Sequence, residues 1–172
     1  MRRCGGAAAC HKFDRIIYDM RFRPLIDYNE IVPHLYIGNL NSPKYHFDAV
    51  VNCTTHLPRI TTILDCCFYR IPIHDHPSNA EKLYDILCNT TVLKDIHNMV
   101  TNDNKRVLVH CHMGIQRSCA VVACYLIRYH NTTPEQAISY IRSKRSIAFF
   151  GGSNFINTIT AFWNYNRRVI RV

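Results

Sequence analysis

The sequence has no apolar run approaching the roughly eighteen residues of a membrane-spanning helix. It has no internal repeat and no long flexible linker, so nothing divides its 172 residues into two large domains. It has no G-x4-G-K-S/T segment, which argues against a P-loop nucleotide site. It has no paired C-x2-C motifs, and Cys111 lies directly beside His112, so a zinc site is a poor reading and no metal or other cofactor is expected. The opening MRRCGGAAACHKFD is short of the apolar stretch that a secretory signal needs. Acidic residues are scarce as well: 12 against 21 Lys and Arg, a formal net charge of +9. That balance favours anionic partners such as phosphorylated protein, an anionic surface or RNA, without choosing among them.

What is present is a folded chain. Hydrophobic residues make up 48%, and the length suffices for helices packed on a sheet. The nine cysteines are an odd count, and Cys111, Cys119 and Cys124 lie in apolar segments. Reduced thiols in an intracellular, cytoplasmic protein are therefore expected rather than a disulfide framework. Asn-x-Thr at Asn52, Asn89 and Asn131 then has no glycosylation role.

Residues 1–26 read as an N-terminal appendage, with a short amphipathic helix over His11 to Met20, and residues 27–172 as the main domain. EIVPHLYIGNL predicts short strands, with Gly38 marking a turn. Ser42-Pro43 predicts a helix start, AVVNC (49–53) an inner strand, and FYRIPI (68–73) a strand that Pro72 ends or confines to an edge. Ser78 with Glu81 has capping-box spacing. The apolar stripe that follows runs to Val100, and Asn89-Thr90-Thr91 leaves open two helices or one kinked helix. VLVH (107–110) predicts a strand, Ser118 to His130 a buried helix, and Thr133-Pro134-Glu135-Gln136 a capped helix. Ser153 caps a last helix carrying Phe155, Ile159, Phe162 and Trp163, and the closing RRVIRV is surface or fraying. The expected class is α/β, a three-layer fold with a central mixed twisted sheet flanked by helices.

The chemistry concentrates in VLVHCHMGIQRSCAVVACYLI. A cysteine at a strand end, followed by a tight loop and a helix start, meets amide hydrogens that stabilise negative charge and favour the thiolate. Arg117 can curl over the loop, and its planar fork matches two phosphate oxygens. Gly114 permits a conformation or close approach that a side chain obstructs. Ser118 is placed to donate to the sulfur, and His110 to set loop geometry. Together these parts describe phosphoryl transfer through a thiophosphate intermediate.

HCHMGIQRS resembles the signature loop of the cysteine-dependent tyrosine phosphatases, and in particular the small dual-specificity phosphatases, including the compact poxviral H1-like enzymes. IVPHLYIGN, AVVNCT, IPIHDHPSN, TTPEQAISYIRSKRSI and SNFINTITAF resemble further segments of that family, so the likeness spans roughly residues 30–165. It implies a tyrosine-phosphatase-like fold with Cys111 as nucleophile, Arg117 as phosphate ligand and Ser118 assisting thiolate expulsion. His112, Met113, Gly114, Ile115 and Gln116 complete the phosphate-binding loop. Asp75 is the expected general acid, with Asp65 as its rival. For a viral source, a virion is the alternative location.

The implied substrates are phosphotyrosine together with phosphoserine or phosphothreonine in proteins. An RNA 5′-triphosphatase, a phosphoinositide phosphatase and an inactive phosphate-binding module stay open. The loop carries no lysine, which disfavours phosphoinositide, and serine rather than threonine follows the arginine, which disfavours RNA. Lys144 and Arg145 are the basic residues expected nearest the cleft; His74, His76 and His112 are left without a role. Residues 1–26 are a candidate homodimer contact.

Overall fold

The computed structural model describes residues 26–58 and 66–169. The expected helix at His11 to Met20, the rest of the appendage before Ile26, and Asp65 lie outside the described residues. Five strands form one sheet: β1 (Tyr28–Val32), β2 (Leu35–Gly38), β3 (Ala49–Asn52), β4 (Cys67–Arg70) and β5 (Val107–His110). Their spatial order is β1-β2-β5-β3-β4. β1 and β2 are antiparallel, and every other pairing is parallel, so the sheet is mixed as expected.

Local chemistry explains the elements. β1 and β2 turn at Pro33 and His34, with His34 at φ 67°. Gly38 ends β2, and the turn that it marks follows at once, with the Ser42 N–H on Asn39 O at 3.1 Å. β3 and β5 are buried along their whole length, and both are apolar up to a polar last residue, Asn52 and His110, as strands flanked on both sides and ending at a site require. β4 is an edge strand that ends at Arg70, and Pro72, which has no N–H to offer a ladder, follows two residues later. Ser42-Pro43-Lys44 forms one 3-10 turn only.

The described residues hold five α-helices: α1 (Ala80–Asn89), α2 (Val92–Thr101), α3 (Arg117–Tyr129), α4 (Pro134–Lys144) and α5 (Ile156–Val169). The apolar stripe at 80–101 is thus two helices. Thr90 turns to extended backbone, and its hydroxyl donates to the Ile86 carbonyl at 2.7 Å. Ser78 does not cap α1. It sits within a 3-10 turn, Pro77–Asn79, and the His76 imidazole accepts its backbone N–H. The reason is that Pro77 already starts a tight turn one residue earlier. At α4 the capping box of Thr133 and Gln136 forms in full. α5 continues through Arg167 and Arg168, both exposed, so of the two expectations for this stretch it is surface there and not frayed.

α3 is buried continuously from Ser118 to Ile127, so it is the central helix rather than an amphipathic surface one. It packs on β2 and β5 and is flanked by α4 and α5. Val107, Val109, Leu35, Ile37 and Val51 line that face of the sheet in the main core. Phe47, Val50, Cys66 and Leu108, with Tyr28, Tyr36 and Phe68, cover the other face. There Arg106 lies over the Tyr36 and Phe47 rings. The central helix therefore leaves the sheet at a defined place: the carboxyl ends of the parallel strands.

Candidate active site

Gly38, Asn52 and His110 sit at matching positions in β2, β3 and β5, so the three strands end on one level. Two bonds carry the ladder one residue further: Cys111 N–H to Gly38 O at 3.4 Å, and Cys53 N–H to His110 O at 2.8 Å. Cys111 is thereby fixed at the carboxyl end of the central strand, 1% exposed. Open α/β sheets bind ligands at this edge.

The loop from Cys111 to Gln116 owes its shape to where its carbonyls go. Cys111 O faces the His110 Nδ1 at 3.3 Å. His112 O accepts the Leu40 N–H at 3.0 Å. Met113 O and Gly114 O accept Arg145 Nη2 and Nε at 3.2 and 2.8 Å. Ile115 O accepts the Phe149 N–H at 2.8 Å. No peptide bond among the described residues is cis. In a trans peptide the N–H points away from the C=O. Five carbonyls drawn outward therefore turn the N–H groups of residues 112 to 116 toward the opposite side, which is the nest an oxyanion needs. Gly114 makes this geometry accessible: its φ is +67°, and a Cβ there would lie 2.6 Å from Arg145 Nη2 and 2.7 Å from Gly38 O.

The sulfur of Cys111 accepts the Gly114 N–H at 3.2 Å and the Ser118 hydroxyl at 3.4 Å. Arg117, 7% exposed, starts α3 and sends Nη1 to the Ile73 carbonyl at 3.4 Å. Its Nε lies 3.4 Å from Asp75 Oδ2 and makes no hydrogen bond. Asp75, on the loop between β4 and the Pro77 turn, accepts Asn154 Nδ2 on Oδ1 at 2.9 Å. The structure thus brings Cys111, Arg117, Ser118 and Asp75 into one site.

Burial pushes the His110 imidazole down to about 4, against the bond to Cys111 O, with the charges of Arg70 and Arg117 adding to the effect. His110 is neutral at physiological pH and serves the loop through its ring N–H. Cys53 follows Asn52, the partner of His110, so its thiol enters the same neighbourhood. Burial pushes the Cys53 and Cys119 thiols up, and the charge of Cys111 adds to this. Both are free, with Cys119 donating to Gly114 O.

Other sequence expectations land differently. The Gln116 side chain bonds Phe150 O, Gly152 O and the Asn154 N–H. Arg145 does lie beside the loop, as expected, but beneath it rather than at the surface. It is 2% exposed and grips Gly114, Met113, Ile26 and Asn29. Its signal was available: Ala137, Ile141 and Arg145 recur every four residues, so the buried stripe of α4 leads directly to the arginine that caps its C-terminus. Lys144 lies over the Tyr140 ring instead. His76 is a turn cap, while His74 and His112 are exposed and Met113 and Ile115 half-buried.

Among the described residues no group of His, Cys, Asp and Glu could hold a metal ion, and no helix is long and apolar enough to cross a membrane. A cysteine at a strand end, a nest of amides above it and an arginine opening the next helix define a cysteine-based phosphatase domain. The chain belongs to the dual specificity phosphatase catalytic-domain family, whose sequence profile matches residues 36–164. It is 34% identical over 140 residues to protein 123R of Invertebrate iridescent virus 6, whose name carries the words tyrosine phosphatase; the match covers 77% of this chain and 89% of that one. It is 30% identical over 125 residues to the protein phosphatase Slingshot homolog of Xenopus laevis, covering 69% of this chain but 17% of that protein. The crystal structure of human DUSP28 shares the fold at a TM-score of 0.72 and 20% identity, over 82% of this chain and 95% of that one.

Proposed function

We propose that the protein hydrolyses phosphotyrosine and phosphoserine or phosphothreonine monoesters in proteins. Cys111 is the nucleophile, Arg117 the phosphate ligand and Asp75 the general acid. The Cys111 thiolate attacks phosphorus as the bond to the ester oxygen breaks. Arg117 and the amides of the loop hold the three equatorial oxygens as charge shifts onto them. Asp75 passes its proton to the departing oxygen. In the second step water attacks the cysteinyl phosphate, Asp75 takes up a water proton, and the Ser118 hydroxyl donates to the returning thiolate. Inorganic phosphate leaves, and every group is restored.

The observation that carries this reading is the convergence on one sulfur: Gly114 N–H at 3.2 Å and Ser118 Oγ at 3.4 Å, beside an Arg117–Asp75 pair. A structural cysteine has no need of a loop amide and a hydroxyl. The chemistry requires a reduced thiol, which supports an intracellular location. The match to protein 123R supports the kinship with small viral enzymes that the poxviral H1-like resemblance suggests.

The test is a side-by-side assay, without added metal, on phosphotyrosyl and phosphothreonyl peptides, a phosphoinositide and triphosphorylated RNA. Turnover of both peptides, abolished by Cys111→Ser, is expected. Turnover of the lipid or RNA alone moves the substrate class, and unchanged turnover in Cys111→Ser removes the covalent mechanism. Monomer masses for both the full chain and a chain starting at residue 27 reject self-association through residues 1–26.

A further inference from the structure

Three loops distant in sequence meet beside the Asp75 carboxyl, and a single amide joins them. Asn154 lies between α4 and α5. Its side-chain Nδ2 donates to Asp75 Oδ1 at 2.9 Å. Its backbone N–H donates to Gln116 Oε1 at 3.1 Å. A carboxylate only accepts, so the amide must present its NH2 group to Asp75. Gln116 belongs to the phosphate-binding loop and is 8% exposed. Its Nε2 donates to Gly152 O at 2.7 Å and Phe150 O at 3.3 Å, so one side chain clamps the segment 150–154 by three bonds.

That segment is held at both ends as well. Phe149 is fully buried, with its N–H on Ile115 O. It adopts φ 54°, an unfavourable conformation for a bulky residue that persists only where the surroundings impose it. Arg142 Nη2 donates to the Phe149 carbonyl at 2.9 Å. At the other end Phe155 is fully buried and its N–H meets Ser153 Oγ. Asn154 is therefore a fixed point, set relative to the phosphate loop rather than to the loop that carries Asp75.

We propose that Asn154 is the positioning residue of the general acid and that Gln116 sets its place. This rests on the reading of Asp75 as the acid. An aspartate on an exposed loop can present either oxygen to a leaving group. The hydroxyl oxygen of a carboxylic acid is the weaker acceptor, so the oxygen that takes the Asn154 amide is the poorer seat for the proton. The proton is directed to Oδ2. Oδ2 is the oxygen that faces Arg117 Nε, and hence the side on which phosphate is held. Once phosphate engages Arg117, Oδ2 carries the proton toward the departing oxygen, while Asn154 keeps Oδ1 in place.

The experiment compares Asn154→Ala, Asn154→Asp, Asp75→Asn and the Asn154→Ala/Asp75→Asn pair in the full chain, on 4-nitrophenyl phosphate and on phenyl phosphate. Leaving-group departure needs the acid little in the first and strongly in the second. For Asn154→Ala we expect kcat within about twofold on 4-nitrophenyl phosphate and about tenfold or more lower on phenyl phosphate, with KM unchanged. The double variant should be no slower than Asp75→Asn alone. Asn154→Asp keeps the size and the backbone bond to Gln116 but has no donor to offer, so it should show the same selective loss even if the alanine variant folds poorly. Equal losses on both substrates, or losses that multiply in the double variant, overturn the proposal. A graded response in Asp75→Asn with a flat one in both Asn154 variants removes the positioning role alone. A flat Asp75→Asn response removes the acid assignment and this inference with it.

Discussion

Arg117 Nε lies 3.4 Å from Asp75 Oδ2, buried and without a hydrogen bond. A buried donor without a partner is costly, so it is held ready by its surroundings. Here the helix start and the Ile73 carbonyl hold the guanidinium, and the carboxylate balances its charge. Under the proposed function, phosphate and Asp75 compete for the same cation. In Asp75→Asn that competition ends. Inorganic phosphate should inhibit this variant several-fold more tightly than the parent, while turnover of phenyl phosphate falls about 10²- to 10⁴-fold, the usual worth of a general acid. Competitive inhibition kinetics check the first outcome and steady-state rates the second.

Ser118 donates to the Cys111 sulfur, and that bond matters most when the sulfur becomes a leaving group. A hydrogen bond to a charged group is worth about 1.5–3 kcal/mol. Ser118→Ala should slow hydrolysis of the cysteinyl phosphate by about 10- to 100-fold and leave its formation less affected. Stopped-flow on 4-nitrophenyl phosphate should then show a burst of one equivalent of nitrophenol per enzyme. A slower single phase with no burst would assign Ser118 to the first step.

Arg145 ties Met113 O and Gly114 O to Asn29 and Ile26 from beneath the loop. Arg145→Met leaves these buried acceptors unpaired at a cost of about 1–3 kcal/mol for each group so exposed. The variant should unfold at lower urea and bind inorganic phosphate more weakly, because the loop amides lose their orientation. Arg145→Lys keeps the charge but not the fork, so it should recover stability only in part. Urea titration and phosphate binding by calorimetry give both readings.

His110 is neutral in the folded protein because burial holds its imidazole near 4 rather than at the ordinary 6.5. The unfolded chain therefore binds a proton that the folded chain refuses. This contribution is fully present above pH 6.5 and is lost as pH falls through the window down to about 4, amounting to about 3 kcal/mol. His110→Asn should be less stable at neutral pH, since it loses the bond to Cys111 O, yet decline less between pH 6.5 and 4. Chemical denaturation at several pH values checks the slope, and parallel pH curves would rule the histidine out as its source.

The signature loop and its flanks were legible because their information is local. A run of apolar residues, then Cys111, Gly114, Arg117 and Ser118, then ten buried helix positions from Ser118 to Ile127, identifies strand, nest and helix within 21 consecutive residues. The capping box at Thr133 and the edge placement implied by Pro72 were equally local. The Ser78 cap failed because a capping-box spacing does not register that Pro77 starts a 3-10 turn capped by His76.

By itself the sequence determined the class of fold and pointed to the reacting group and phosphate-binding loop that the proposed function uses, since each depends on residue type and short-range periodicity. Tertiary structure alone decided what orients them. Arg145 reaches the loop from 31 positions away and residue 26 from 119, and Asn154 reaches Asp75 from 79. Such contacts follow from how helices pack on the sheet: spacing along the chain encodes the burial of Arg145 but not the partners that it or Asn154 meets. For that reason an arginine expected beside the cleft became the floor of the loop, a loop glutamine became a clamp, and an asparagine assigned no role from the sequence came to hold the carboxyl of Asp75.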